Sequence, residues 1–305
     1  MELEIRNIKK SFSDKEILHG ISFKVKSGQA LGLLGRNGAG KTTAIRIIMD
    51  VFRADSGDIL IDGKHFKADH YKLGYLPEER GLYPKRTVWD QIIFLARLRG
   101  MKKSEAVKNT QKWLERIGIP EYASRKLETL SKGNQQKVQL AATLVSDPDI
   151  IILDEPFSGL DPVNSQILKD IVNELISEGK IVIFSSHQMS YVEEFCDSIA
   201  IIHHGEIVLS GSLTEIKREY GKNRLMLSAV NYSLKELEEK LLSDFSDLLT
   251  VTGKNKMVLI LTKSQKTTSK DILERIAKSD IEINKFGIYE PSLNDIFVDK
   301  AGDEE

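Results

Sequence analysis

Residues 35–43 read Gly-Arg-Asn-Gly-Ala-Gly-Lys-Thr-Thr, matching the spacing G-x-x-x-x-G-K-[ST]. No other feature of the chain narrows its fold so far. For backbone N–H groups to point at phosphate oxygens, the chain must pass close to them, and glycine permits that approach. The flanks suit the role. Gln29–Leu34 is a short apolar run that reads as a buried strand, and residues 42–51 read as a helix whose N terminus supplies the positive end of its dipole. Gly35, Arg36, Asn37, Gly38, Ala39, Gly40, Lys41, Thr42 and Thr43 are therefore the nucleotide-binding candidates. Lys41 would neutralise the β and γ oxygens, and Thr42 would offer its hydroxyl to Mg²⁺.

Three further segments bear chemistry. Ile150–Leu153 reads as a buried strand that ends in the adjacent acids Asp154 and Glu155. Beside a phosphate loop, an acid at this strand end is suited to hold Mg²⁺, and its neighbour to polarise an attacking water. Alone, such a pair would read as a solvated strand end. Leu130-Ser131-Lys132-Gly133-Asn134-Gln135 opens a predicted helix, with Ser131 as N-cap and a second set of outward-pointing N–H groups behind it. His187 follows another short apolar strand, residues 180–185. Taken singly, the last two would be a capped helix and an ordinary loop histidine.

The order of these segments makes residues 1–220 resemble the nucleotide-binding subunit of an ABC (ATP-binding cassette) transporter. Gly35–Thr43 is similar to the Walker A motif and Ile150–Glu155 to Walker B. Leu130–Gln135 is similar to the signature that separates this family from other P-loop proteins. Ser158–Asp161 is similar to the D-loop, His187 to the switch histidine, and Phe12 to the aromatic that stacks on adenine. The fold implied is a P-loop NTPase cassette, α/β, with a mostly parallel sheet, an antiparallel β subdomain and a helical subdomain at about 87–146.

The resemblance also implies a mechanism. Each chain builds half of each site, so ATP and Mg²⁺ are sandwiched between one phosphate loop and the Ser131, Lys132, Gly133 and Asn134 of a second cassette. That second cassette is another copy of the chain or a homologous subunit. Glu155 and His187 would serve catalysis, Asp154 and Thr42 the metal, and Asp161 the D-loop. The other implied partner is an integral membrane permease, contacted by the loop from Glu78 through Tyr83-Pro84 to Val88.

Two positions depart from the family pattern. The expected Q-loop glutamine appears as Glu78, in Leu76-Pro77-Glu78-Glu79-Arg80-Gly81. A carboxylate can still coordinate the metal, so Glu78 stands as a catalytic and metal candidate, but it adds negative charge near the γ-phosphate. The signature carries Lys132 and Asn134 where Gly and Gln are commoner.

Residues 221–305 follow a β-α-β-β-α-β order with a last helix from about Ser292, the split βαβ arrangement of ferredoxin-like domains. This small α+β domain carries no chemical constellation. Its end, Tyr289–Phe297, resembles the tail of single-cassette subunits in sodium, drug and antibiotic exporters. The closing Asp303-Glu304-Glu305 reads as a solvated tail.

Charge and hydropathy bound the remaining classes. The chain has 44 basic and 45 acidic residues, evenly spread: 31 and 30 in 1–220, 13 and 15 in 221–305. This disfavours a nucleic-acid partner held by charge. Its longest stretch without charge, Ile181–Val192, has 12 residues, short of the roughly 20 that span a bilayer. The start shows no signal peptide, and Cys196 is the only cysteine. The expectation is a cytoplasmic subunit, peripheral on the inner face of the cell membrane. The alternative is a non-transport ABC ATPase of translation or DNA repair. Against repair, Lys41 and Asp154 are only 113 positions apart, with no sustained heptads. Against translation, the chain holds one cassette. A GTPase or small-molecule kinase would leave the signature unexplained, and N-K-x-D is absent.

Overall fold

The computed structural model describes residues 1–79, 81–158, 160–255 and 257–302. Arg80 of the loop after Leu76, Gly159 of the expected D-loop, Lys256 and the tail Asp303-Glu304-Glu305 lie outside the described residues. In chain order the elements begin with β1 (Glu2–Phe12), β2 (Lys15–Lys26), β3 (Gln29–Leu34), α1 (Lys41–Ile48), β4 (Ser56–Ile61), β5 (Lys64–His65) and β6 (Leu73–Leu76). The helices α2 (Val88–Leu98), α3 (Lys103–Arg116) and α4 (Lys132–Leu144) come next. Then follow β7 (Ile150–Asp154), α5 (Pro162–Ser177), β8 (Ile181–Ser185), α6 (Met189–Phe195), β9 (Ser198–His203), β10 (Glu206–Ser212) and α7 (Leu213–Tyr220). The chain closes with β11 (Arg224–Ala229), α8 (Leu234–Asp244), β12 (Leu249–Lys254), β13 (Leu259–Lys263), α9 (Ser269–Ala277), β14 (Ile283–Ile288) and α10 (Leu293–Ala301).

Contacts divide the chain into Met1–Leu213, joined by the stretch from Phe297, and Thr214–Ile296. The division therefore falls seven residues before the 220/221 boundary expected from the sequence, and residues 297–302 group with the first unit.

The first unit is built on a six-stranded sheet in the order β10-β9-β3-β8-β7-β6. Every neighbouring pair is parallel except β10–β9. Strands β7 and β8 are buried at every residue, so both faces of the sheet are covered, as their continuous apolar runs require. Alternate side chains serve the two layers. Ile150, Ile152, Ile181 and Ile183 join Leu3, Ile5 and Phe23 of the antiparallel sheet β2-β1-β4-β5 in one core. On the opposite side Phe184 packs 5.7 Å from Phe157 and 6.3 Å from Phe195, centroid to centroid. Each such side chain contributes roughly 1.5–3 kcal/mol of burial.

Helix α4 decides how the helical segment is held. It starts on an N-cap, Ser131, whose Oγ accepts from Asn134 N at 3.3 Å. From Val138 to Leu144 it is buried all round. Arg99, at the end of α2, donates Nη1 to the Ala142 and Thr143 carbonyls at 2.7 and 3.2 Å, and Asn109 Nδ2 donates to Val145 O at 2.9 Å. Burial pushes the Arg99 guanidinium below its ordinary value. Arg99→Met keeps much of the stem but orphans those carbonyls, and a loss of about 1–3 kcal/mol is expected in urea unfolding. An unchanged midpoint would contradict this account.

The second unit carries the sheet β12-β13-β11-β14, antiparallel throughout. Numbered within the domain, that order is 2-3-1-4, the arrangement of a ferredoxin-like fold. Leu237 and Leu241 of α8 and Ile272 and Ile276 of α9 pack with Leu225, Leu227, Leu259 and Leu261 in its core. Capping boxes at Ser233 and Thr268 set the starts of both helices.

Strands β5, β6 and β10 and helix α7 were not anticipated. β6 is only Leu-Gly-Tyr-Leu, too short for periodicity to reveal. Gly74 is there because a Cβ would lie 2.8 Å from Pro148 Cγ, a contact 74 positions away in sequence. Among the described residues, no helix is long and apolar enough to cross a membrane.

Candidate functional site

Strands in parallel place all their C-terminal ends on one edge of the sheet, where ligands of open α/β sheets bind. Gly35 leaves β3 on this edge, Pro77-Glu78 leaves β6, Glu155 leaves β7 and Ser186-His187 leaves β8. Four segments scattered over 150 positions of sequence thereby share one rim.

The phosphate loop is held open by packing as well as by glycine. Gly40 has φ +112°, and a Cβ there would stand 2.6 Å from Leu18 Cδ2 and 3.3 Å from the Ile17 carbonyl. Gly40→Ala should cost at least about 2 kcal/mol from strain plus overpacking and displace the loop. Thermal melting checks the first effect, nucleotide titration the second. The first-turn N–H groups of α1, from Lys41 to Thr43, point out of the helix end. Lys41 Nζ arches back over the loop and donates to Gly35 O at 2.6 Å and Arg36 O at 3.1 Å. Burial pushes its ammonium below the ordinary value, against the pull of Asp154, Glu155 and Glu78. A half-buried ammonium held on two backbone carbonyls keeps its full charge, which a phosphate could meet once the neighbouring carboxylates are engaged elsewhere.

Asp154 and Glu155 are both buried, at 7% and 8% exposure. Desolvation raises the Asp154 carboxyl, while the Tyr75 hydroxyl and Lys41 pull it the other way. Tyr75 Oη lies 3.4 Å from Asp154 Oδ2, and burial beside that carboxyl pushes the phenol up to about 12. Glu155 is itself strained, with φ +48° in the left-handed region that glutamate avoids. The turn is held by Glu155 N donating to Ser185 O at 2.9 Å. It aims the carboxylate at the end of β8. There Oε1 accepts from His187 N at 2.7 Å and lies 2.8 Å from His187 Nδ1, while Ser186 Oγ donates to Oε2 at 3.2 Å. The imidazole is otherwise 71% exposed. The Nδ1 edge is turned to the carboxylate, which leaves the Nε2 edge of the ring facing outward. Holding this conformation costs of order 1–3 kcal/mol, which the bonds to Ser185, Ser186 and His187 offset.

The other candidates fall as follows. Phe12 ends β1, 40% exposed, with its ring edge-on to Phe52 at 5.2 Å. Glu78 is exposed at the rim. Ser131, Lys132, Gly133 and Asn134 form the cap and first turn of α4. Asp161 caps α5, accepting from Val163 N and Asn164 N at 3.0 Å each, and those backbone bonds hold its carboxyl below the usual range. Sequence reasoning missed Tyr75, Ser186, Gln136 and Gln139, whose partners are set by the tertiary fold alone.

A phosphate loop opening α1, a buried Asp-Glu pair and a histidine on one sheet edge define a P-loop nucleotide hydrolase. The ABC transporter family model matches residues 18–158, and the model for the C-terminal domain of DrrA1-3-like ATP-binding proteins matches 211–301. The chain is 41% identical to the ABC transporter ATP-binding protein YhaQ of Bacillus subtilis (strain 168), covering 98% of both chains. It is 32% identical to the linearmycin resistance ATP-binding protein LnrL of the same organism, again over 98% of each. A solved structure of an ATP-binding subunit of an ABC transporter superposes with a TM-score of 0.67 at 29% identity, covering 80% of this chain and 100% of that one. The chain belongs to the family of ABC transporter ATP-binding subunits, which bind and hydrolyse ATP to drive transport. Nothing in these matches supports a translation or DNA-repair ATPase.

Proposed function

We propose that this chain powers an exporter from the cytoplasmic face of the cell membrane. Residues 1–220 act as the motor and 221–305 as an accessory domain. A permease subunit docks on the loop from Glu78 to Val88, and ATP closes two cassettes on each other. The observation that carries the reading is the Glu155 turn, a strained and buried carboxylate fixed by His187 and Ser186 beside Lys41. Identity to a linearmycin resistance protein along nearly the whole chain supports export over import.

The roles divide by chemistry. The amides of Gly38 to Thr43 and the Lys41 ammonium bind the phosphates, and Phe12 supplies a ring face for adenine. Glu155 orients water and takes its proton, and His187 stays near the γ-phosphate on its hydrogen bond to Glu155. Ser131–Asn134 present a helix N terminus and the Lys132 charge to the nucleotide of the opposite cassette. Asp161 sets the start of α5 at that interface.

The donor set suits Mg²⁺: the Thr42 hydroxyl, the Asp154 carboxylate and Glu78 are hard oxygen ligands. A desolvated Asp154 with a raised carboxyl gains from such a neighbour. Bound there, the ion would neutralise phosphate charge. Chelating divalent cations should stop hydrolysis and Mg²⁺ should restore it; persistence in EDTA would remove the metal from the scheme.

A tagged Glu155→Gln chain, solubilised from membranes with ATP, tests the partner. A stoichiometric polytopic membrane protein is expected. Recovery of ribosomes or repair proteins alone would overturn the transport reading.

A further inference from the structure

Glu78 is exposed and must be positioned by its backbone. That backbone is gripped from α4. Gln139, only 6% exposed, donates Nε2 to Pro77 O and to Glu79 O, both at 3.2 Å, the two carbonyls on either side of Glu78. One turn further on, Thr143 Oγ1 donates to Tyr75 O at 3.2 Å. One turn earlier, Gln136 Nε2 donates to Pro156 O at 2.6 Å, next to Glu155. Spacings of three and four put 136, 139 and 143 on one face of the helix. A buried glutamine loses more side-chain entropy than the apolar residues around it, and its amide must be satisfied. Here it ties down the chain around Glu78, holding the 77–78 peptide plane that borders the Glu78 Cα and, one peptide further on, the Glu79 carbonyl.

We propose that Gln139 is a positioning residue for Glu78: its amide clamps the carbonyls of Pro77 and Glu79 so that the carboxylate faces the phosphate loop and its metal. This rests on the reading that Glu78 serves ATP hydrolysis. The electrostatic part of that reading has a trace in the structure, since Glu78 is among the charges acting on Lys41. Without the clamp, Glu78 samples other directions, while the phosphate loop, on a different strand, still binds ATP.

The test is a double-mutant cycle on the full-length chain with Gln139→Leu, Glu78→Ala and the double variant. The readouts are kcat for ATP hydrolysis, the Mg²⁺ concentration for half-activation, the ATP dissociation constant and the melting temperature. Gln139→Leu is expected to lose about tenfold in kcat and to need about threefold more Mg²⁺, with ATP affinity held within about twofold, as a misplaced reacting group predicts. In the Glu78→Ala background the same change should cost less than about twofold, because nothing remains to position. If Gln139→Leu keeps wild-type kcat, or loses the same tenfold with Glu78 already gone, the clamp does not act through Glu78 and the proposal falls. If Glu78→Ala by itself keeps wild-type kcat and Mg²⁺ dependence, the role given to Glu78 falls first and the proposal with it. Should Gln139→Leu fail to fold, Gln139→Met fills the site with an unbranched chain of similar volume, and the same outcomes apply.

Discussion

Glu155→Gln should bind ATP as the wild type does and hydrolyse it roughly 10²–10⁴-fold more slowly, the usual worth of a positioned general base. The substitution is nearly isosteric. An amide oxygen can still accept from His187 N, which lies 2.7 Å from Oε1, so the turn after β7 is kept. The variant loses the capacity to take a proton from water and one of the acceptors that face Ser186 and the His187 ring. Chemistry is thereby separated from binding. Since ATP is what would hold two cassettes together, the variant should also accumulate as a dimer in ATP. Phosphate release in a single turnover measures the first effect, and gel filtration with ATP the second. A wild-type rate would show that Glu155 is not the base.

Lys41→Ala should lose tight ATP binding altogether. One charge-assisted hydrogen bond to phosphate, at about 2 kcal/mol, already corresponds to about 30-fold in the dissociation constant. The β and γ oxygens together ask for more than one. The fold should tolerate the change. Lys41 Nζ is half-buried, and desolvation lowers its affinity for a proton, so its bonds to Gly35 O and Arg36 O are offset by that cost. Melting without nucleotide should therefore shift little while titration with ATP fails. Unchanged affinity would sink the assignment of the phosphate loop.

Much of this was legible in the sequence where the information is local. The loop from Gly35 to Thr43 announces itself because its glycines, lysine and threonine are consecutive and their flanks are a strand and a helix. The cap at Ser131 is similarly local, its side chain accepting from an N–H three residues on; those at Asp161, Ser233 and Thr268 are as local but were found only in the structure. The pattern of residues 221–305 was enough to read the β-α-β-β-α-β order and the last helix. What escaped were short elements without a pattern, such as β6, and the residues whose bonds run between distant segments. Gln139 looks like one polar residue of an amphipathic helix until its partners at Pro77 and Glu79, about 60 positions earlier, are known.

The sequence alone was enough to mark a glycine-rich loop as the nucleotide-binding candidate and to read an α/β cassette followed by a smaller α+β domain. Short-range chemistry suffices for that: turns need glycine, helix starts need caps, and buried strands need unbroken apolar runs. Only the tertiary structure decided which acids the lysine faces. The parallel order β9-β3-β8-β7-β6 brings the ends of four strands to one edge, the left-handed turn at Glu155 points its carboxylate at His187, and α4 clamps the loop that carries Glu78. The reason is that a site made at strand ends depends on the order in which strands pair, and strand pairing is set by long-range packing of the core, which no local run of residues encodes.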